Sequence, residues 1–382
     1  MVLFFVLIAT RSFALPNDTT KQIKLPKHYF SKTVYVDYYA PEKRTLDTAN
    51  AISRKLKTYK ISQFTIGYNV PIVTKDFYNK DSTRISNIHF LLCGSYSKID
   101  LNFEGISTHH FTNLCVGLRS IYNNGKKSIF FVEVSPFVTA DRGYRTTRTY
   151  RLSTTVLYDL AANDNLSFRF GFSRSYLFGN LFNLPYLGIR IGRLDRVYFS
   201  AQFPRSVSLN VPVGSFVRGS IYAKPQGGFY TFGNGDSLQL GLTNEHQRMY
   251  FGRSEYLTGI RFDVFPSKHF TFYLSGGLTS LNSIEFFPAN RNPNVFNSYK
   301  NYYAENIDAA VFINLGLVYR FGKTKSIYNN LQMYDAFDLN NQLDPGDNNE
   351  NIGNGNIPFG KPKHPRLKTE EVMDLLDGQT ME

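Results

Sequence analysis

Val311-Phe312-Ile313-Asn314-Leu315-Gly316-Leu317-Val318-Tyr319-Arg320-Phe321 sets Val311, Ile313, Leu315, Leu317, Tyr319 and Phe321 on one parity. Asn314, Gly316 and Arg320 lie on the other. Successive strand side chains point to opposite faces, so the stretch predicts a strand with one apolar face and one polar or small face. Working back along the chain, the same period recurs. Phe64, Ile66, Tyr68, Val70 and Ile72 alternate with Thr65, Gly67 and Asn69, and Ile88, Phe90 and Leu92 with Asn87, His89 and Cys93. Leu114, Val116 and Leu118 follow against Cys115, Gly117 and Arg119, then Phe130, Val132 and Val134 against Glu133 and Ser135. Further segments cover 150–158, 166–172, 187–191, 197–203, 216–223, 238–242, 260–264 and 270–278. Almost no 3.6-residue pattern competes with them.

Tight turns separate many of these segments, among them Asn123-Asn124-Gly125, Asn163-Asp164-Asn165 and Pro266-Ser267-Lys268. Parallel neighbours need crossovers of about a dozen residues, so the segments predict an antiparallel all-β fold. Two architectures share that pattern. A soluble sandwich turns its apolar faces inward, and a transmembrane barrel turns its single apolar face outward to lipid. The composition favours the barrel: 34 Phe and 26 Tyr with no Trp, enough aromatics for a lipid-facing surface and its rims. So do the polar-face residues Arg119, Glu133, Arg190, Arg218 and Arg320, which suit a wet lumen, narrow at this strand number and either open or filled by side chains or a plug. About twelve strands (range 10–14) are expected, because 206–211, 228–232 and 248–253 are ambiguous. The long stretch 279–307 reads as an outer loop before a descending last strand.

Both chain ends lie outside the predicted barrel. Residues 1–14 carry a short apolar run, Arg11, and small residues before a cut after Ala14, the pattern of a secretory signal peptide without a basic start. Residues 15–58 form an N-terminal periplasmic segment that includes a candidate first strand at 33–39 and a helix-like patch at 46–56. The barrel is set at 59–321. Residues 322–382 read as a flexible periplasmic tail rich in Asn, with six Lys and Arg against ten Asp and Glu. The chain as a whole is +13, so the basic excess belongs to the barrel.

A family resemblance appears at Leu184-Pro185-Tyr186-Leu187-Gly188-Ile189-Arg190-Ile191, at Phe203-Pro204-Arg205-Ser206-Val207, and at Gly259-Ile260-Arg261-Phe262 with Ser275-Gly276-Gly277-Leu278. These runs resemble a domain-of-unknown-function family of predicted bacterial outer-membrane β-barrels, over roughly residues 60–321. The resemblance implies a barrel and no catalytic residue.

The search for chemistry returns little. No phosphate-binding glycine loop, His-Glu-x-x-His helix or Gly-x-Ser-x-Gly elbow occurs. No catalytic, cofactor-binding or metal residue is expected. Cys93 and Cys115 share the polar parity of consecutive strands. A hairpin centred on Glu104 would set them opposite, so they are either a disulfide formed in an oxidising compartment or two small lumen side chains. His89 lies about 13 Å along the strand from Cys93, too far for shared metal ligation. Basic residues are scattered rather than striped, which argues against nucleic acid.

The function expected is a non-enzymatic outer-membrane barrel serving as a passive small-solute pore or as a structural or assembly component. The alternatives are a secreted β-sandwich binding saccharide or a surface protein, and a lipid-acting barrel enzyme. Outer-membrane lipid and lipopolysaccharide are the expected surroundings. The strand ending at Phe321, with its terminal aromatic, is the contact for the barrel assembly machinery.

Overall fold

β1 (Lys32–Pro41) shows the rule by which the whole wall is built: Thr33, Tyr35, Asp37 and Tyr39 are buried, while Val34, Val36, Tyr38 and Ala40 face outward. Aromatic and β-branched residues fit such a pleated, half-buried surface. The computed structural model describes residues 32–46, 58–78, 84–104, 108–124, 128–141, 150–163, 165–176, 179, 181–192, 196–213, 216–232, 249–267, 269–288 and 303–321. After β1 come β2 (Arg44–Thr45), β3 (Thr58–Tyr78), β4 (Arg84–Phe103), β5 (His109–Asn123), β6 (Ser128–Asp141), β7 (Tyr150–Asn163) and β8 (Leu166–Ser175). Then follow β9 (Phe182–Gly192), β10 (Tyr198–Phe203), β11 (Ser206–Pro212), β12 (Val217–Phe232), β13 (Met249–Ser267), β14 (Phe270–Pro288), β15 (Tyr303–Ile307) and β16 (Ala310–Phe321).

All pairings are antiparallel, and β1 pairs with both β3 and β16, which closes the sheet on itself. Among the described residues fourteen strands form the ring; β2 hangs on β3 and β15 on β14. A closed single sheet overturns the sandwich alternative. The ring stands at the upper end of the expected range of 10–14, two strands above its centre of twelve. It gains β1, whose start at Lys32 lies well before residue 59, and β11, which occupies the ambiguous 206–211. Residues 228–232 and 248–253 proved to be mainly the ends of β12 and β13 rather than separate strands, and part of the expected 279–307 loop is strand. The signal peptide at 1–14, most of the helix-like patch, the segment at 238–242 and the tail at 322–382 lie outside the described residues.

Lys32 pairs with Phe321, and we call that edge of the ring the terminal rim and the opposite edge the distal rim. Outer-face residues such as Phe64, Leu114, Val116, Leu118, Leu187, Leu274 and Ile313 are exposed all around the ring. An apolar surface of that extent is not stable against water, so the outer face requires lipid or detergent. At the terminal rim, Tyr319 packs tilted against Phe270 and edge-on against Phe321, with ring centroids 4.7 and 4.5 Å apart, an aromatic rim cluster without Trp. Wall height is uneven: β3, β4, β13 and β14 run 19–21 residues, whereas β10 has six and β11 seven.

Candidate functional site

All five polar residues singled out in the sequence, Arg119, Glu133, Arg190, Arg218 and Arg320, are buried on the inner face. Only two of them meet. Arg119 and Glu133 are cross-strand partners on β5 and β6, and Arg119 Nε donates to Glu133 at 2.8 Å. Ser135 donates to the other carboxylate oxygen at 2.8 Å. Arg320 donates to the Thr271 hydroxyl at 2.8 Å, and Arg218 lies 6.0 Å from the rings of Tyr198 and Phe265. Arg190 faces Ser167 and Ser200 on its two neighbouring strands.

These contacts share a style with others nearer the terminal rim. Arg169 grips Asp159 through two nitrogens at 2.8 and 3.3 Å and donates to Gln202 at 2.7 Å, which also accepts from Tyr186. Arg261 pairs with Asp263 on its own strand at 2.8 Å and lies 4.0 Å from the Tyr273 ring. Tyr273 crosses Gly316, where a Cβ would collide with its ring, to donate to Asp37. Each contact stays on one strand or joins residues at most two strands apart, so this polar network follows the wall.

Toward the distal rim the interior changes character. Phe229-Tyr230, Tyr250-Phe251 and Phe286-Phe287 are adjacent aromatic doublets, and both members of each are buried. One set, Tyr230, Phe251 and Phe286, stacks at 5.3–6.0 Å and joins Tyr39, Tyr59, Phe103, Phe111 and Phe312. The other, Phe229, Tyr250 and Phe287, joins Phe137 and Tyr176. A strand in a barrel wall cannot bury both faces. The ends of β12–β14 have therefore left the wall and entered the lumen.

Ring positions prove the crossing. β6 lies six places from β12 in a fourteen-strand ring, almost diametrically opposite, yet Thr139 of β6 donates to the Phe229 carbonyl at 2.8 Å. Phe111 of β5 and Tyr230 of β12 have centroids 5.3 Å apart. Arg151 of β7 donates to Thr231 at 2.9 Å and lies 5.0 and 5.2 Å from the rings of Phe229 and Tyr250. Gly252 abuts the Gly179 carbonyl, where a Cβ would not fit. Arg44, at β2, meets Glu255 of β13 at 2.8 Å, and Arg253 approaches the same carboxylate at 2.7 Å at an angle outside hydrogen-bond geometry. We call this assembly of inward-folded ends the cap.

The sequence expectation sets the aromatics on the lipid face and its rims, with a polar lumen either open or filled. The structure corrects the first for the distal half, where buried aromatics line the interior, and there the lumen is of the filled kind. The signal was present: adjacent aromatic doublets break the two-residue period and require burial on both sides.

Cys93 faces Gly117 and Cys115 faces Ser95, two residues off the register that would oppose them. Diagonal neighbours sit about 7–8 Å apart, beyond the usual disulfide span, and no disulfide joins these thiols. Among the described residues no group of three or more His, Cys, Asp or Glu converges as a metal site.

A closed ring with an apolar exterior and a buried polar and aromatic interior defines a membrane-type β-barrel. More specifically, residues 17–320 match the family model "Domain of unknown function (DUF6268)", and the chain belongs to that family. No curated protein sequence matches the chain. Among solved structures it is similar to a KdgM porin in complex with disordered oligogalacturonate, at 8% identity and TM-score 0.32 over 75% of this chain and 99% of that one. It is similar also to the COG4313 outer membrane channel from Pseudomonas putida F1, at 10% identity and TM-score 0.36 over 80% and 100%. A third is LpxR from Salmonella typhimurium, at 10% identity and TM-score 0.29 over 76% and 100%. The assignment of the barrel rests on this chain's own pairing.

Proposed function

We propose that this protein is a non-enzymatic outer-membrane β-barrel whose lumen is shut at rest by its own cap, and which passes small anions when the cap is displaced. The crossing of the lumen by β12–β14 is the observation that carries this reading. It departs from a permanently open pore, because the inner face is buried along its height, from Arg320 and Asn314 to Phe312 on β16 alone. The anion preference follows from charge. Eleven buried Arg and Lys face four buried Asp and Glu among the described residues, and a basic lining lowers the barrier for anions. On this reading outer-membrane lipid and lipopolysaccharide surround the apolar belt, and β16, ending at Phe321, is the strand presented to the assembly machinery.

Planar-bilayer recording of the refolded full chain tests it. The wild type should show no steady conductance, and replacing 229–231 and 250–252 by Gly and Ser should produce anion-selective channels. Steady ohmic conductance in the wild type would return the protein to the class of open diffusion pores. Cation selectivity in the opened variant would remove the arginine argument.

A further inference from the structure

β10 and β11 are too short to cross a membrane. Six residues reach about 20 Å along the strand. At a tilt near 40° that is about 15 Å of height, against an apolar band about 25 Å tall. The hairpin therefore turns, at Phe203-Pro204-Arg205-Ser206, inside the apolar layer. The ladder between β9 and β10 stops at Leu187–Phe203, and that between β11 and β12 stops at Val207–Ala223. Beyond these pairs β9 runs on to Phe182 and β12 continues from Lys224 until its end folds into the lumen, with no ring strand between them among the described residues. The wall thus has a lateral notch.

Proline marks its three sides: Pro185 on β9, Pro204 in the turn and Pro225 on β12. Proline lacks the donor that a sheet neighbour would use, so it suits strand edges that must not recruit another strand. Below and beside the turn the outer face opens into a pocket of about 420 Å³, lined by Phe170, Leu187, Ile189, Phe203, Val207 and Tyr256 among others. That volume falls within the range of small-molecule sites.

Behind this uncharged lining two cationic side chains are buried. Lys224, between the lining residues Ala223 and Pro225, is buried, as is Arg205 between Pro204 and Ser206. An apolar pocket open to the belt, backed by two buried cations, matches one chemical class. We propose that the notch binds a single-chain anionic amphiphile, a long-chain carboxylate, with its chain in the pocket and its head directed through the wall toward Arg205 and Lys224. This rests on the membrane reading above and adds a second, lateral site to the axial lumen. A pocket of this size accepts one chain, not the several chains of a bulk lipid.

The absence of Trp supplies the test. Tyr256→Trp places a single fluorophore in the pocket, and Tyr96→Trp places one on the open outer face of β4. Each full-length variant is refolded in phosphatidylcholine vesicles and titrated with a long-chain carboxylate brominated on its chain. Quenching of the Tyr256→Trp variant should saturate at a concentration at least tenfold below that needed for the Tyr96→Trp variant. Adding Lys224→Gln to the pocket variant should weaken that step at least tenfold, and an equally brominated long-chain alcohol should also lag at least tenfold. Ala201→Phe, which fills the pocket and leaves both cations in place, should abolish saturation. Identical curves for the two fluorophore positions, or saturation that survives both Lys224→Gln and Ala201→Phe, would overturn the site. Brominated phosphatidylcholine that fails to quench the Tyr96→Trp variant would instead overturn the membrane reading.

Discussion

Near the terminal rim, buried charges are satisfied within the wall, along a strand or by the next one or two; near the distal rim, a contact across the lumen joins them. Arg119–Glu133 and Arg169–Asp159 belong to the first kind, and Arg44–Glu255 to the second. The difference decides what each half can do. A wall-following pair holds its own strands in register and leaves the lumen's cross-section to whatever occupies it. A crossing contact ties opposite walls together and obstructs passage. The same alternation of residues along the strands thus supports a basic lining at one end and an aromatic obstruction at the other. Aromatic pairs contribute about 0.5–1.5 kcal/mol each beyond their area, so the stacked doublets hold the cap without covalent aid.

The comparison breaks most visibly at Glu255, which neutralises two buried arginines in the cap. Glu255→Gln leaves both positive charges without an acidic partner at that carboxylate, and losing one side of a buried ion pair costs about 3–5 kcal/mol. The expected outcome is a large fall in the urea midpoint of the refolded barrel together with intermittent conductance, because the destabilised element is the obstruction. A fall in stability with the lumen still shut would show that the cap is held by its aromatics alone.

Glu133 sharpens the contrast. Glu133→Gln leaves only Arg119 short of a counter-charge, and the amide oxygen still accepts a hydrogen bond, so a smaller loss of about 1–3 kcal/mol is expected. Bilayer recordings should remain silent, because no contact across the lumen is touched. Conductance in this variant would mean that the wall-following network also gates.

How much of this was legible in the chain depends on which rule each residue obeys. Val311 to Phe321 keeps the strand period, and the barrel followed from it and its repeats. The inner placement of Arg119, Glu133, Arg190, Arg218 and Arg320 follows from the same parity. The ring falls at the top of the expected range, two strands above its centre, because Ser206–Pro212 is short and Lys32–Pro41 is separated from the next ring strand by the stretch that includes β2. Contacts across the ring were not legible, since pairing Arg44 with Glu255 or Thr139 with Phe229 requires the ring to be closed first. The aromatic doublets did announce a change of environment, but their strand-length context masked it as ordinary alternation. The notch, too, was written in the prolines at 185, 204 and 225, which have meaning only once β10 and β11 are known to fall short.

The smallest effect concerns Cys93 and Cys115, which lie in the terminal-side style of packing on adjacent strands. Their diagonal placement on β4 and β5 sets them beyond the usual disulfide span, whereas residues 93 and 117 are directly opposed. Protein refolded without reductant, then denatured and titrated with a maleimide, should therefore react at two thiols, and replacing both cysteines by Ser should shift the urea midpoint only slightly. Reaction at neither thiol would mean that β4 and β5 pair two residues away from the register described. That slip preserves side-chain parity, because the period along a strand is two. It would, however, move Arg119 from its place opposite Leu91 to one opposite His89, and shift β5 and Arg119 relative to the wall-following network on that side of the barrel.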